Sequence, residues 1–190
     1  MSNELALATV TAALALRVQA AAQRAVSDAI VEIGRPGGSD PRGTQHRVNV
    51  YLYHVAYNAI VRGPDLFGRQ GRTQSPPVAM DLYYLLACYG HEQMLEPERM
   101  LGAVVRDLHA RPFLTRADIE DAIASHPELR GSDLAGAGDT VGLTPVTLSL
   151  GELARLWSVF SPAPHALSIV YQATVLLGVG EETTDRTADG

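Results

Sequence analysis

Two long apolar runs, Arg47–Tyr57 and Val78–Tyr89, stand on either side of a stretch rich in Arg, Gly and Pro. In the first run Val48, Val50 and Leu52 alternate with Tyr51, Tyr53 and Val55, so both faces are apolar. Val and Tyr suit a pleated surface, and a strand apolar on both faces belongs in the covered middle of a sheet. The second run behaves alike, with Leu82 and Leu86 opposite Leu85 and Ala87. Its length also admits a helix, which periodicity alone does not exclude. Pro76 and Pro77 before it and Gly90 after it favour a strand.

Elsewhere the period lengthens. Leu7, Val10, Leu14 and Val18 recur at spacings of three and four, and Ala fills most positions between them, so residues 4–24 are expected to be helical. Asn3 is placed to cap this helix, and Glu4 to favour its positive end. Ala29–Ile33 is a short strand candidate, followed by a Gly- and Pro-dominated loop over Gly34–Thr44. Glu96–Ala110 carries a helical stripe of Met100, Leu101, Val104, Val105 and Leu108, with Pro97 in its first turn and Pro112 just past its end. Thr115 with Asp118, and Ser149 with Glu152, are capping-box pairs opening helices at Arg116–Ser125 and Leu150–Phe160. Residues 126–142 read as a loose connector with its tip at Gly136–Asp139. Val141–Leu148, interrupted by Pro145, reads as an edge strand. Leu167–Leu177 is a strand with Ile169, Tyr171, Ala173 and Val175 on one face and Ser168, Gln172 and Thr174 on the other. This order argues an α+β fold: a mixed, mostly antiparallel sheet of four to five strands packed against three to four helices. One domain over residues 1–180 and a flexible polar tail over 181–190 is the expected division.

Composition narrows function more than fold. The chain has 190 residues, 46% of them hydrophobic, and a net charge of −6. It can bury a core, and it has no basic stripe for a nucleic-acid partner. All 15 positive side chains are Arg. Either coding bias or the preference for Arg at interfaces, where its planar fork binds carboxylates, accounts for that. Cys88 is the only cysteine; between Ala87 and Tyr89 it reads as a small buried hydrophobe in a reducing compartment. Thr9, Thr11, Arg17 and Gln19 break the N-terminal apolar run, so neither a secretion signal nor a membrane span is expected, and synthesis is cytoplasmic.

Catalytic signatures are missing. Without Lys no phosphate-binding P-loop can be built, and neither a nucleophile elbow nor a zinc-protease helix motif occurs. His46, His54, His91, His109, His126 and His165 have no partner at helical or strand spacing, so no metal and no cofactor are expected. His54 reads as a hydrogen-bonded sheet residue, and Cys88 paired with a distant His is a remote alternative. What remains is the stretch Arg62–Gln74. A loop this long is functional or disordered. Arg62, Arg69 and Arg72 surround Asp65, Leu66 and Phe67, a set suited to docking on a neighbour: apolar contact from Phe67, ion pairs from the arginines. Asp81, a carboxylate in an apolar run, either is buried against an Arg of this arm or faces solvent at a strand edge.

The succession NVYLYHVAYNAIVRGPDL, PPVAMDLYYLLACYG, EPERMLGAVVRDLHARPFLT, TPVTLSLGELARLWSVF and LSIVYQATVLL, within residues 4–179, resembles the cap, or tube-terminator, family of phage-tail-like contractile injection systems of the antifeeding-prophage and virulence-cassette type. The resemblance implies a phage tail-terminator-like fold and a structural, non-enzymatic role. It implies a sixfold ring on the distal end of the inner tube and sheath that stops polymerisation and anchors the last sheath ring. The partners it implies are further copies of the chain, the inner-tube protein and the sheath protein, with neither nucleic acid nor membrane, in a particle that is released or kept inside the cell. Some members continue into a C-terminal region that this sequence does not contain. The competing readings are an effector-loading adaptor and a hydrolase built from His54, Asp81 or Cys88. Replacing Arg62, Arg69 and Arg72 together by Ala is expected to leave the monomer folded but weaken ring or tube contacts. Normal assembly and regular tube lengths with the triple variant would reduce the arm to a loop.

Overall fold

Six strands form one sheet in the order β1-β2-β3-β6-β5-β4. The structure, a computed structural model, describes residues 2–37, 46–58, 78–136 and 140–178. The strands are β1 (Ile30–Ile33), β2 (Arg47–Tyr57), β3 (Val78–Tyr89), β4 (Phe113–Leu114), β5 (Val141–Val146) and β6 (Leu167–Leu177). Four α-helices accompany them: α1 (Ala6–Gln23), α2 (Glu96–Ala110), α3 (Arg116–Ser125) and α4 (Leu150–Ser158). β1 runs parallel to β2, and every other neighbouring pair is antiparallel. The expected α+β fold with a mixed, mostly antiparallel sheet is therefore present, with one strand more than anticipated. The extra strand is β4, whose two residues pair with Gly142 and Val141. So short an element is set by its partner, and it has no period of its own.

The two-faced apolar pattern of β3 has the expected consequence: helices cover it on both sides. Leu82, Tyr84, Leu86 and Cys88 point into a core with Val10, Leu14 and Val18 of α1, Met100, Val104 and Leu108 of α2, and Ile119 and Ala122 of α3. Leu85 and Ala87 point the other way, into a smaller core with Val170 of β6, Trp157 of α4 and Phe160 just beyond it. Trp157 also donates its ring N–H to the Ser168 hydroxyl at 3.1 Å. Each fully buried Leu in these cores contributes about 1.5–3 kcal/mol relative to exposure.

Several expectations shift: α1 ends at Gln23, β1 starts at Ile30, and β5, expected as an edge strand over Val141–Leu148, ends at Val146 and has β4 beyond its first two residues. α1 starts at Ala6. The Asn3 carboxamide oxygen accepts from the Leu5 N–H at 3.1 Å while its amide donates to the Gly131 carbonyl at 2.7 Å, so Asn3 is fastened to the distant connector and Glu4 precedes the first turn. α4 stops at Ser158, although its Ser149–Glu152 capping box forms as expected. The Thr115–Asp118 box likewise opens α3. The connector after α3 is not loose where it is described: Pro127–Leu129 and Leu134–Gly136 are single 3-10 turns that send Leu129 and Leu134 into the main core. Ala137–Asp139 of its expected tip, and Gly38–Thr44 of the earlier loop, lie outside the described residues.

α1 is tied to the rest by a buried charge cluster. Arg17, 4% exposed at its side chain, reaches Asp107 of α2 at 2.9 Å and also donates to the carbonyls of Phe113 and Arg111. Arg24 and Arg111 complete the set, at 3.0 and 2.8 Å from Asp107. Burial pushes the Asp107 carboxyl up, but hydrogen bonds from Arg17, Arg111 and Arg24 outweigh it and hold the group at about 2, below the ordinary 3.8. A carboxylate depressed on folding stabilises above its unfolded value and stops doing so as pH falls through its folded one. Asp107→Ala is expected to cost about 3–5 kcal/mol at neutral pH, because it strands the buried Arg17 charge. The pH-linked part is smaller: the shift from 3.8 to about 2 corresponds to about 2 kcal/mol, which the wild type should lose over that interval in excess of whatever the variant loses. Urea unfolding of both proteins across that range checks the amount and the sign.

Candidate assembly interface

The arm read from the sequence joins β2 to β3, so Tyr57 and Val78 mark its root at one end of the sheet. Arg62, Asp65, Phe67, Arg69 and Arg72 lie outside the described residues, as do positions 179–190. The root itself is well defined. Asp81 is 8% exposed and sits in β3, a central strand, paired with Ala56 of β2 and Thr174 of β6. Its Oδ1 accepts from the Thr174 hydroxyl at 2.7 Å and from the Asn58 side-chain amide at 3.0 Å. The Asn58 N–H donates to the Ala79 carbonyl at 2.9 Å. Of the two readings of Asp81, exposure at a strand edge is therefore overturned: β3 has β2 on one side and β6 on the other. Asp81 is buried as the other reading has it, but its donors here are a hydroxyl and an amide, and the arm arginines expected as its partner lie outside the described residues. Asp81 thus fastens the residue from which the arm departs, next to Tyr57, which is 74% exposed.

A second open feature is the β1 edge. Among the described strands β1 pairs only with β2, and Ile30 and Ile33 are 40% and 50% exposed. α1 covers part of this edge: the Val31 N–H donates to the Gln19 carboxamide oxygen at 2.6 Å, and the Ala29 carbonyl accepts from Gln19 and Gln23, so what the edge presents is the apolar side chains of Ile30 and Ile33. At the end of the sheet opposite the arm the fold gathers residues that no local spacing connects: His46 before β2, His91 after β3, and Glu96 opening α2. Sequence reasoning misses this grouping because nothing periodic relates His46 to the other two.

Of the residues considered for bond chemistry, Cys88 is set apart, while His54, opposite Tyr83, shares a face of the sheet with Asp81 without a hydrogen bond to it among the described residues. Cys88 and Asp81 stand on opposite faces of β3, Cys88 in the three-helix core and Asp81 on the α4 side. Burial, with a small addition from Glu98, pushes the Cys88 thiol up to about 12, which keeps it protonated and unreactive. His54 is exposed and lies against Tyr83, ring centres 5.4 Å apart, beside a register shift in β2, and its ring makes no sheet hydrogen bond among the described residues. No helix among the described residues is long and apolar enough to cross a membrane.

With this geometry established, comparison with known proteins gives a consistent picture. A family model described as Pvc16 N-terminal domain matches residues 9–188. No curated protein sequence matches. Among solved structures, the chain is similar to the sheath/tube terminator, in the extended state, of the PVC extracellular contractile injection system, at 14% identity and a TM-score of 0.50. That match covers 87% of this chain and 57% of the other. It is also similar to the anti-feeding prophage cap, described as the AFP tube terminating cap, at 15% identity and a TM-score of 0.54, over 88% of this chain and 54% of the other. The chain therefore spans little more than half the length of either structure, and at these identities the likeness is one of fold.

Removing the carboxylate at the arm root should leave the Asn58 and Thr174 donors without their acceptor. Asp81→Ala is expected to lower unfolding free energy by about 1–3 kcal/mol. A denaturation midpoint equal to that of the wild type would show that the root does not depend on Asp81.

Proposed function

The chain belongs to the Pvc16 N-terminal domain family, and we propose that it is a structural cap of a contractile injection particle, a ring of identical copies seated on the far end of the inner tube and sheath. The observation that carries this reading is coverage. The family match runs from residue 9 to residue 188, and the α+β body follows two tube-terminating proteins over nearly nine-tenths of its length. In this reading residues 1–180 act as one cap unit and 181–190 as a polar tail. The unit stops tube growth and anchors the last sheath ring. It acts by shape, without bond chemistry, and is made in the cytoplasm before joining the particle.

Ring closure needs one surface of each copy to meet a different surface of the next, with a rotation that returns to the start. Sixfold closure follows the implied family resemblance. The physical candidates for the two surfaces are the arm that leaves Asn58, with Arg62, Asp65, Phe67, Arg69 and Arg72 as its contact residues, and the exposed apolar side chains of Ile30 and Ile33 on β1. The acidic balance of the chain, −6 overall, provides carboxylates for arm arginines to meet on the next copy. The inner-tube and sheath proteins are the remaining partners.

Electron micrographs of particles from a strain lacking this chain test the proposal. Tubes of uneven, extended length or particles with detached sheath ends are expected. Tube lengths unchanged from the parent strain, or the absence of the chain from purified intact particles by mass spectrometry, would overturn it.

A further inference from the structure

We propose that His46, His91 and Glu96 form a binding site for a divalent transition cation of the zinc class, with Asp28 orienting His46. The site lies at the end of the sheet opposite the arm, where four segments converge: the turn before β1 (Asp28), the entry to β2 (His46), the exit of β3 (His91) and the first residue of α2 (Glu96). One ligand atom from each of His46, His91 and Glu96 lies within 4.8 Å of the other two.

The geometry around His46 assigns each of its nitrogens a role. Nδ1 faces Glu96 Oε2 at 2.7 Å, and Nε2 faces Asp28 Oδ2 at 3.2 Å. A metal-bound histidine donates its second ring N–H to a carboxylate or carbonyl, which sets its tautomer and its ring plane. Asp28 provides that acceptor. Nδ1 is left directed at the Glu96 carboxylate, where a cation takes the place of the shared proton. For bond lengths of about 2.0–2.1 Å in a tetrahedral site, Nδ1 and Oε2 need to part by roughly two-thirds of an ångström.

An ion pair explains His46 between two carboxylates, but it does not explain His91. Its imidazole stands edge-on to that of His46, ring centres 5.4 Å apart, with a nitrogen within the same 4.8 Å group. Its backbone N–H donates to Glu96 Oε2 at 2.8 Å, so chain and ring converge on one carboxylate. Gly90 makes room for this approach: a Cβ there would stand 3.1 Å from both the Cβ and Oε2 of Glu96. Leu95, at φ 54°, turns the chain so that Glu96 comes back beneath His91. Two imidazoles and a carboxylate favour zinc and its neighbours over magnesium or calcium, which take oxygen ligands. Glu96 is buried and His91 exposed, so the fourth position opens to solvent.

The untagged full chain, freed of metal with a chelator and then desalted, is titrated with Zn²⁺ by calorimetry and with Co²⁺ by visible absorption. The expected result is saturable one-to-one binding and a cobalt spectrum of low-coordinate nitrogen and oxygen ligation. His91→Ala, at an exposed position, keeps the wild-type circular dichroism and is expected to lose the cobalt spectrum. Asp28→Asn acts through His46, so it is expected to weaken binding about 10–100-fold while keeping that spectrum. No binding by the wild type, or equal binding by His91→Ala, overturns the site and leaves the cluster an ion-pair network.

Discussion

Burial of β3 on both faces is the constraint that organises the rest of the structure. Leu82, Tyr84, Leu85, Leu86 and Ala87 are inaccessible to water. A strand so enclosed needs a layer on each side, which α1, α2 and α3 provide for one face and α4 for the other. It also carries a hazard. Where only one face is apolar, a one-residue slip in pairing is penalised by turning every core side chain outward. In β3 a slip would exchange one apolar set for another, so hydrophobicity alone specifies register weakly. The polar groups on the strand supply what is missing. Asp81 fits only where Asn58 and Thr174 can donate to it, and the Tyr84 hydroxyl, at 2.9 Å from Thr11, fits only beneath α1.

Charge is used in the same sparing way. Asp107 gathers three arginines from α1 and the end of α2, and Arg17 adds two backbone carbonyls near β4. A cluster like this contributes little net energy over a well-packed apolar alternative, but it is unforgiving of misplacement, since a buried unpaired guanidinium is very costly. It therefore fixes where the helical layer sits more than how strongly it adheres. Arg suits this role better than Lys because its fork reaches a carboxylate and carbonyls together.

The parts of the fold that were legible in the sequence are those whose cause is local or periodic. β2, β3, α2, α3 and β6 fall at the residues their patterns indicate, because alternation, capping pairs and flanking Pro or Gly all lie within a few positions of each end. β4 has no such signal, being two residues held by β5. Leu129 and Leu134 looked like connector residues because their burial comes from α1 and α3, which no window around them contains. At the site level Asp81 was legible as an anomaly, a carboxylate in an apolar strand, but its partners come from β6 and from beyond β2. His46, His91 and Glu96 were not legible at all, since their proximity is made by the return of β3 alongside β2.

The segment between Asn58 and Val78 joins the two adjacent ends of an antiparallel pair, and that has a mechanical consequence. A load applied to these two ends in the direction of the strands pulls on β2 and β3 together. The ladder from β3 to β6 runs in unbroken register from Val78–Leu177 to Cys88–Leu167, so such a pull is borne as shear by many hydrogen bonds at once and does not peel them apart singly. A protein anchored through this segment would hold its grip under tension, as a fastener does when it is loaded along its length.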